Sequence, residues 1–341
     1  VNEGPDPTPG VPVPWAPPAP EDGWVPDVLG PDFQARTIPL AEDAEGEVVA
    51  TLVRYAPATD EPLLPARAVL YLHGWNDYFF QTHLAEYWHR QHVAFYALDL
   101  RKYGRSLRQH QTPNYVTDLA TYDEEIDAAL ALVRGELGHL VRVMVMAHST
   151  GGLIAPLWAD RHPGQITSLV LNSPWLELAG ASFARSLATP LIATLARTQP
   201  TAPLPNIDPG FNARSVLAAM GGEWTYDDAW RPNPMFPVRP AWLQAILLGH
   251  ARVARGLSLD VPVLVAASTV SVLAPRWRDE MRAADSVLDV EILARRAVQL
   301  GPLVTVLRVP GGLHDLTLSA PAAREHFFTE TTRWTATYGW G

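Results

Sequence analysis

Residues 141–158 read VRVMVMAHSTGGLIAPLW, and the fold follows from how that stretch is parsed. Val141 to Ala147 is rich in valine and methionine and holds no glycine or proline, the composition of a buried strand. After Gly151 and Gly152, the residues Leu153, Ile154, Leu157 and Trp158 recur at helical spacing. Between the two stands Ala147-His148-Ser149-Thr150-Gly151, a nucleophile-elbow pattern in which the serine sits on a strained strand-to-helix turn with its hydroxyl exposed. Small residues are needed two positions to either side, because the tight turn presses those backbones against the neighbouring strand and helix. Ala147 stands where a glycine is usual, a difference of one methyl group.

Outward from this stretch, strands are expected over residues 47–55 near a sheet edge, and over 66–72, 93–98, 166–171, 261–267 and 303–309. Helical faces alternate with them over residues 77–91, 117–137 and 320–335; in the second, Leu119, Tyr122, Ile126, Leu130 and Val133 share one side. Strand–helix alternation implies crossover units and an α/β fold with a mainly parallel sheet flanked by helices. The rhythm stops at residue 177 and resumes near 259. Between them, helical stretches over 181–197 and 241–256 are separated by loops rich in proline and tryptophan, the pattern of a helical cap inserted over the sheet. Residues 1–31 are dense in proline and read as an extended arm, with Trp15 and Trp24 as residues that pin it. The organisation expected is therefore an arm (1–31), a core in two parts (32–176 and 259–341) and a cap (177–258).

Composition narrows the function. The 341 residues carry 48% hydrophobic side chains, enough for a large core, and a net charge of −10. That charge, with no basic run, argues against a nucleic-acid partner. No stretch is long and apolar enough to span a membrane. There is no cysteine, so neither a disulfide nor a thiolate metal site is available. With no dinucleotide fingerprint, phosphate-cradling loop or metal triad, no cofactor and no metal are expected. The sequence starts at Val1 with no signal-peptide pattern, and a trimmed start and a cytoplasmic location are the expectation. The 12 tryptophans suggest an aromatic-lined pocket.

A serine hydroxyl becomes a nucleophile only when a base takes its proton and a third group orients the base. Of 11 histidines, His314 lies in a glycine-flanked loop just after the last expected strand, where the base is expected to meet the elbow. His148 adjoins the serine and points elsewhere; His73 orders the loop after its strand; His250 lies in the cap. The acid is less sharply marked. Ser268, Thr269 and Val270 follow the 261–267 strand and carry no charge. Asp285 precedes the helix leading to the last strand and is favoured, with Asp289 second and Glu177 a remote third, while Asp279 and Glu280 read as solvated helix charges. A tetrahedral intermediate also needs backbone donors, and the amides of Thr150 and Trp75 are the candidates.

At these residues the chain resembles the α/β-hydrolase superfamily, and within it the monoacylglycerol lipase and serine aminopeptidase branch, often called lysophospholipase-like. The resemblance lies in Leu72-His73-Gly74, in Asp99 to Ser106, in His148-Ser149-Thr150-Gly151-Gly152 and in Pro310 to Asp315. Lys102 stands where the second of these motifs usually has glycine. Asp285-Ser286-Val287-Leu288-Asp289 is similar to the acid loop of the family, which implies Asp285 as the acid and makes residues 268–284 an insertion ahead of it. The resemblance covers about residues 45–176 and 259–335. It implies a serine hydrolase acting on a carboxylic ester through Ser149, His314 and Asp285, and the Leu, Ala, Trp, Phe and Pro of residues 177–258 favour an apolar acyl or aromatic group over a charged substrate. An acyltransferase, a lactonase, a peptidase and an inactive binding protein of the same fold are the alternatives.

Overall fold

The computed structural model of the protein describes residues 23–58, 66–178, 182–205 and 209–341. The strands are β1 (Val25–Asp27), β2 (Gly30–Asp43), β3 (Gly46–Tyr55), β4 (Arg67–Leu72), β5 (Ala94–Asp99), β6 (Arg142–His148), β7 (Ser168–Asn172), β8 (Val263–Ser268) and β9 (Val304–Val309). They form one sheet in the order β1-β2-β3-β5-β4-β6-β7-β8-β9. Strands β4 to β9 pair in parallel, while β1, β2 and β3 are antiparallel to their neighbours. This is an α/β-hydrolase fold.

Alternation along β6 divides the core. Val143, Val145 and Ala147 pack on one face of the sheet with α2 (Asp123–Leu137), α3 (Gly151–Arg161) and α7 (Val290–Ala297). Met144 and Met146 pack on the other with α1 (Thr82–His89) and α8 (Pro321–Trp334). Because helices cover both faces, the central strands are apolar on both sides, and that is why they read as continuous apolar runs. Between β7 and β8 lie α4 (Ser182–Thr198), α5 (Phe211–Val216) and α6 (Pro240–Ala254). Of these, α6 puts Trp242, Ala245, Ile246 and Val253 into the same core as α2 and α3. Among the described residues no helix is long and apolar enough to cross a membrane.

Three expectations change. The proline-rich stretch to residue 22 lies outside the described residues, but β1 and the start of β2 fall inside the segment 1–31 read as an arm. Strand β2 itself escaped sequence reading because Pro31 and Pro39 interrupt its pattern. Pro39 is tolerated because β1 pairs only with residues up to Ala35, which leaves the rest of β2 as a sheet edge. The strand over 47–55 accordingly lies two strands in. The helix expected over 77–91 starts only at Thr82, since the amides of Phe79 and Phe80 are taken by the side chains of Asp99 and Gln81.

The loop after β5 is held by three buried basic residues. Arg101 forms a forked pair with Glu125 of α2, with Nε 3.0 Å from Oε1 and Nη2 2.6 Å from Oε2. Lys102 places Nζ 2.6 Å from Asp43 and 2.5 Å from Glu45 at the β2–β3 turn. Arg105 pairs with Asp27 and with Asp99. Lys102 has φ +65°, which explains why a glycine is usual there; two carboxylates offset a backbone cost of about 1–2 kcal/mol. Burial pushes the Glu125 carboxyl up despite its hydrogen bonds to Arg101. Removing Arg101 leaves a fully buried acid without its partner, so Arg101→Met is expected to cost about 3–5 kcal/mol, whereas replacing both partners by methionine costs much less. Urea unfolding of the two variants checks this.

Candidate active site

Ser149 follows β6 with φ +51°, the left-handed conformation of a tight strand-to-helix turn. Its amide donates to the carbonyl of Asn172 at 3.1 Å and its carbonyl accepts from the amide of Trp175 at 2.9 Å. The glycines that follow are required by contact. A side chain at Gly151 would come within 2.4 Å of the His73 carbonyl, and one at Gly152 within 2.7 Å of Pro174. Ala147 points its methyl into the core beside β4 and β7, so the extra carbon is absorbed by packing.

His314 lies in the loop after β9, and its ring spans two partners. Nε2 is 2.9 Å from Ser149 Oγ and Nδ1 is 3.0 Å from Asp285 Oδ2. A carboxylate only accepts, so Nδ1 carries the proton of the neutral ring and Nε2 is left to accept from the serine hydroxyl. All three residues are buried, Ser149 the least. The second Asp285 oxygen accepts from the amides of Val287 and Leu288, both at 2.8 Å.

Asp285 reaches His314 although residues 269–284 intervene after β8. The chain loops out through a short 3-10 turn at Asp279–Ala283 and returns to pair with its own start. The amide of Asp285 donates to Val270 at 2.9 Å, and that of Val272 to Asp285 at 2.8 Å. Ser271 Oγ donates to the Leu288 carbonyl and accepts from the Val290 amide, closing the base of the loop. The detour thus brings the carboxylate back to the end of β8. Asp289 is spent elsewhere: it caps α7, accepting from the amides of Glu291 and Ile292. Glu177 pairs with Arg296, and Asp279 accepts from the indole of Trp277.

The other histidines have structural contacts. His73 Nε2 accepts from the amide of Leu100, so Nδ1 donates to the Gly74 carbonyl at 2.7 Å. That bond turns the Gly74 carbonyl toward His73 and, across a planar trans peptide, turns the amide of Trp75 the opposite way. Gly74 lies against the serine, since a side chain there would meet Ser149 Cβ and His148 Cδ2 at 3.1 Å. Among the described residues neither the amide of Trp75 nor that of Thr150 has a hydrogen-bond acceptor. His148 donates Nδ1–H to Asn172, and burial lowers its pKa. His250 bonds the Trp175 carbonyl.

Sequence reasoning passed over two features here. Trp75 stacks on Trp242 of α6 at 5.2 Å, and Trp175 lies 6.2 Å from Trp242 with its ring tilted by 38°. Next to His314, the buried Asp315 accepts from Asn172, Thr317 and Gln81. Burial alone would raise its carboxyl, but His148 and the donors of Thr317 and Asn172 outweigh that and hold it below the ordinary range. The available signals were a polar residue closing the apolar strand SLVLN and a carboxylate beside the loop histidine.

Fold and site together define an α/β-hydrolase in which a serine, a histidine and an aspartate are hydrogen-bonded in series. The family model described as serine aminopeptidase, S33 matches residues 64–275, well over half of the chain, and the chain belongs to that family. A monoacylglycerol lipase of Mycolicibacterium smegmatis is 27% identical over 221 residues, covering 64% of this chain and 70% of the relative. Two solved structures share the fold. The monoacylglycerol lipase of Paleococcus ferrophilus has a TM-score of 0.59 at 19% identity, covering 78% of this chain and 93% of its own. A soluble variant of the monoglyceride lipase of Saccharomyces cerevisiae, solved with a substrate analogue, has a TM-score of 0.61 at 15% identity, covering 89% and 96%.

The contact at Gly151 yields a test of the elbow. Backbone, not a flexible side chain, blocks a methyl there, so Gly151→Ala must displace the end of β4 and the loop bearing Trp75. A displacement near 1 Å costs about 10²-fold in rate. Esterase assays on folded Gly151→Ala are expected to show a loss of that order, with a lowered Tm.

Proposed function

We propose that Ser149, His314 and Asp285 act as nucleophile, base and orienting acid in the hydrolysis of a carboxylic ester whose acyl group is long and apolar, a monoacylglycerol being the best candidate. The observation that carries the proposal is the imidazole hydrogen-bonded at 2.9 Å to a strained serine and at 3.0 Å to a buried carboxylate. The names of the lipase relatives support the substrate class, as do the aromatic and aliphatic side chains of residues 177–258, which we read as the cap.

In the reaction, His314 Nε2 takes the Ser149 proton as Oγ attacks the ester carbonyl. Asp285 keeps the other ring nitrogen protonated and supports the imidazolium that forms. The unpaired amides of Trp75 and Thr150 stabilise the oxyanion, an interaction that strengthens as charge develops. His314 then protonates the leaving alcohol, and water enters by the reverse path to release the acid. No step needs a cofactor. Despite the label of the family model, an ester is favoured over a peptide, because the buried carboxylates of Asp285, Asp315 and Asp77 are already paired, with His314, with Gln81 and with Arg231, which leaves none of the three for an amino terminus.

Fluorophosphonate labelling followed by peptide mapping is expected to mark Ser149 alone, and Ser149→Ala to abolish ester hydrolysis with the fold retained. Asp285→Asn is expected to lower kcat by about 10⁴-fold. Asp289→Asn keeps an acceptor at the cap of α7 and is expected to leave kcat nearly unchanged. An ester series of increasing acyl length, run beside aminoacyl amides, assigns the substrate class; faster turnover of the amides would reject the ester reading.

A further inference from the structure

Hydrogen bonds converge on Asn172, the last residue of β7, from both halves of the proposed nucleophile–base pair. Its backbone carbonyl accepts from the Ser149 amide and from His148 Nδ1, each at 3.1 Å. Its side chain engages the histidine loop: Nδ2 donates to Asp315 Oδ1 at 2.7 Å, and Oδ1 accepts from the Leu316 amide at 3.1 Å. One fully buried residue therefore holds the serine turn with its main chain and the loop of His314 with its side chain.

We infer that Asn172 is a positioning residue for ester hydrolysis, setting the separation of Ser149 Oγ and His314 Nε2. The inference rests on the assignment of those two residues as nucleophile and base. Sheet bonding alone does not fix that separation, because β7 and β8 lie between the strand that carries Ser149 and the strand that precedes His314. The loop must be pinned by side chains. Asp315 is the peg: Oδ1 accepts from Asn172, from the Thr317 amide at 2.9 Å and from Thr317 Oγ1 at 2.7 Å, while Oδ2 accepts from Gln81 Nε2 at 3.1 Å. Charge-assisted bonds of this kind are the stronger ones, and burial strengthens them further. Only a carboxamide fits the receiving position, since it must donate to a carboxylate and accept from an amide through one planar group. An aspartate would set two buried carboxylates against each other, and a serine is too short to reach both partners.

The test uses Asn172→Asp, Asp315→Asn and the double variant. For each, kcat and KM for p-nitrophenyl butyrate are measured per Ser149 titrated with a fluorophosphonate, so that loss of folded protein does not enter kcat. Asn172→Asp is expected to lower kcat about 10²-fold with KM nearly unchanged, as a misplaced base would. Adding Asp315→Asn puts an amide opposite the new carboxylate, and recovery of about tenfold is expected from the coupling of the pair. Wild-type kcat in Asn172→Asp, or no recovery in the double variant, overturns the inference and leaves the contact as packing. Should Asn172→Asp not fold, Asn172→Ser is read in the same way: a fall in kcat at constant KM supports the inference, and an unchanged kcat overturns it. Ser149→Ala separates the two levels. Full activity in that variant removes the nucleophile and the inference with it, whereas an inactive Ser149→Ala beside unaffected Asn172 variants rejects only the inference.

Discussion

The backbone of Ser149 is held in a conformation that a serine does not choose. A left-handed non-glycine residue costs of order 1–3 kcal/mol and persists only where its surroundings over-determine it. Here they do. Strand β6 is locked between β4 and β7, the serine amide is bound by Asn172 and its carbonyl by Trp175, and glycines at 151 and 152 let the helix start against His73 and Pro174. The strain raises the hydroxyl above the carboxyl ends of the parallel strands, where ligand sites of such sheets form. The loops after β4, β6, β7, β8 and β9 all end there, and each contributes a group to the arrangement around Ser149.

Two of those loops are held in place by means that differ in kind. The loop between β4 and α1 rests on the charged loop after β5: Asp99 receives the Phe79 amide and pairs with Arg105, Arg105 also donates to the Phe79 carbonyl, and Arg101 and Lys102 tie that second loop to acids on α2 and at the β2–β3 turn. The acid loop rests on backbone pairing of residues 270–272 with Asp285, clasped by Ser271. Buried ion pairs add little net stability but penalise any rearrangement that separates them. A loop that must present an amide at a fixed position gains from that penalty. The acid loop needs less, because its carboxylate is already fixed by two amides and an imidazole.

The elbow and the histidine loop were legible in the sequence because each is defined within a few residues. Ser149 is flanked by a strand, a helix and two glycines, and His314 by two glycines at a strand end. The sheet was legible from β4 to β9, because its central strands are apolar on both faces and the edge strand β9 still carries four aliphatic residues in six. Strands β1 and β2 were not, since prolines and charged residues at a sheet edge break the alternation that marks a strand. Asp285 could be proposed from the helix after it, but nothing local says that a loop of such length folds back on its own start. Asn172, Asp315 and Gln81 meet from elements far apart in the chain, and their polar contacts leave no periodic trace.

The packing of Trp75 and Trp175 against Trp242 bears on how substrate choice is linked to chemistry. Helix α6 belongs to the segment between β7 and β8, yet four of its side chains are part of the central core, and Trp242 lies on the residue whose amide faces away from His73. Such a segment is not a detachable lid. Removing residues 177–258 would strip apolar surface from α3 and uncover Trp75, so both substrate preference and reactivity toward a small ester would suffer. Changes confined to the outward side of α6, such as at the exposed Leu248, leave the stack intact. If this segment holds the acyl group and the Trp75 amide is an oxyanion donor, as proposed, the two can be varied independently only from that outer side, because the inner side of α6 packs in the same core as the strand before Ser149.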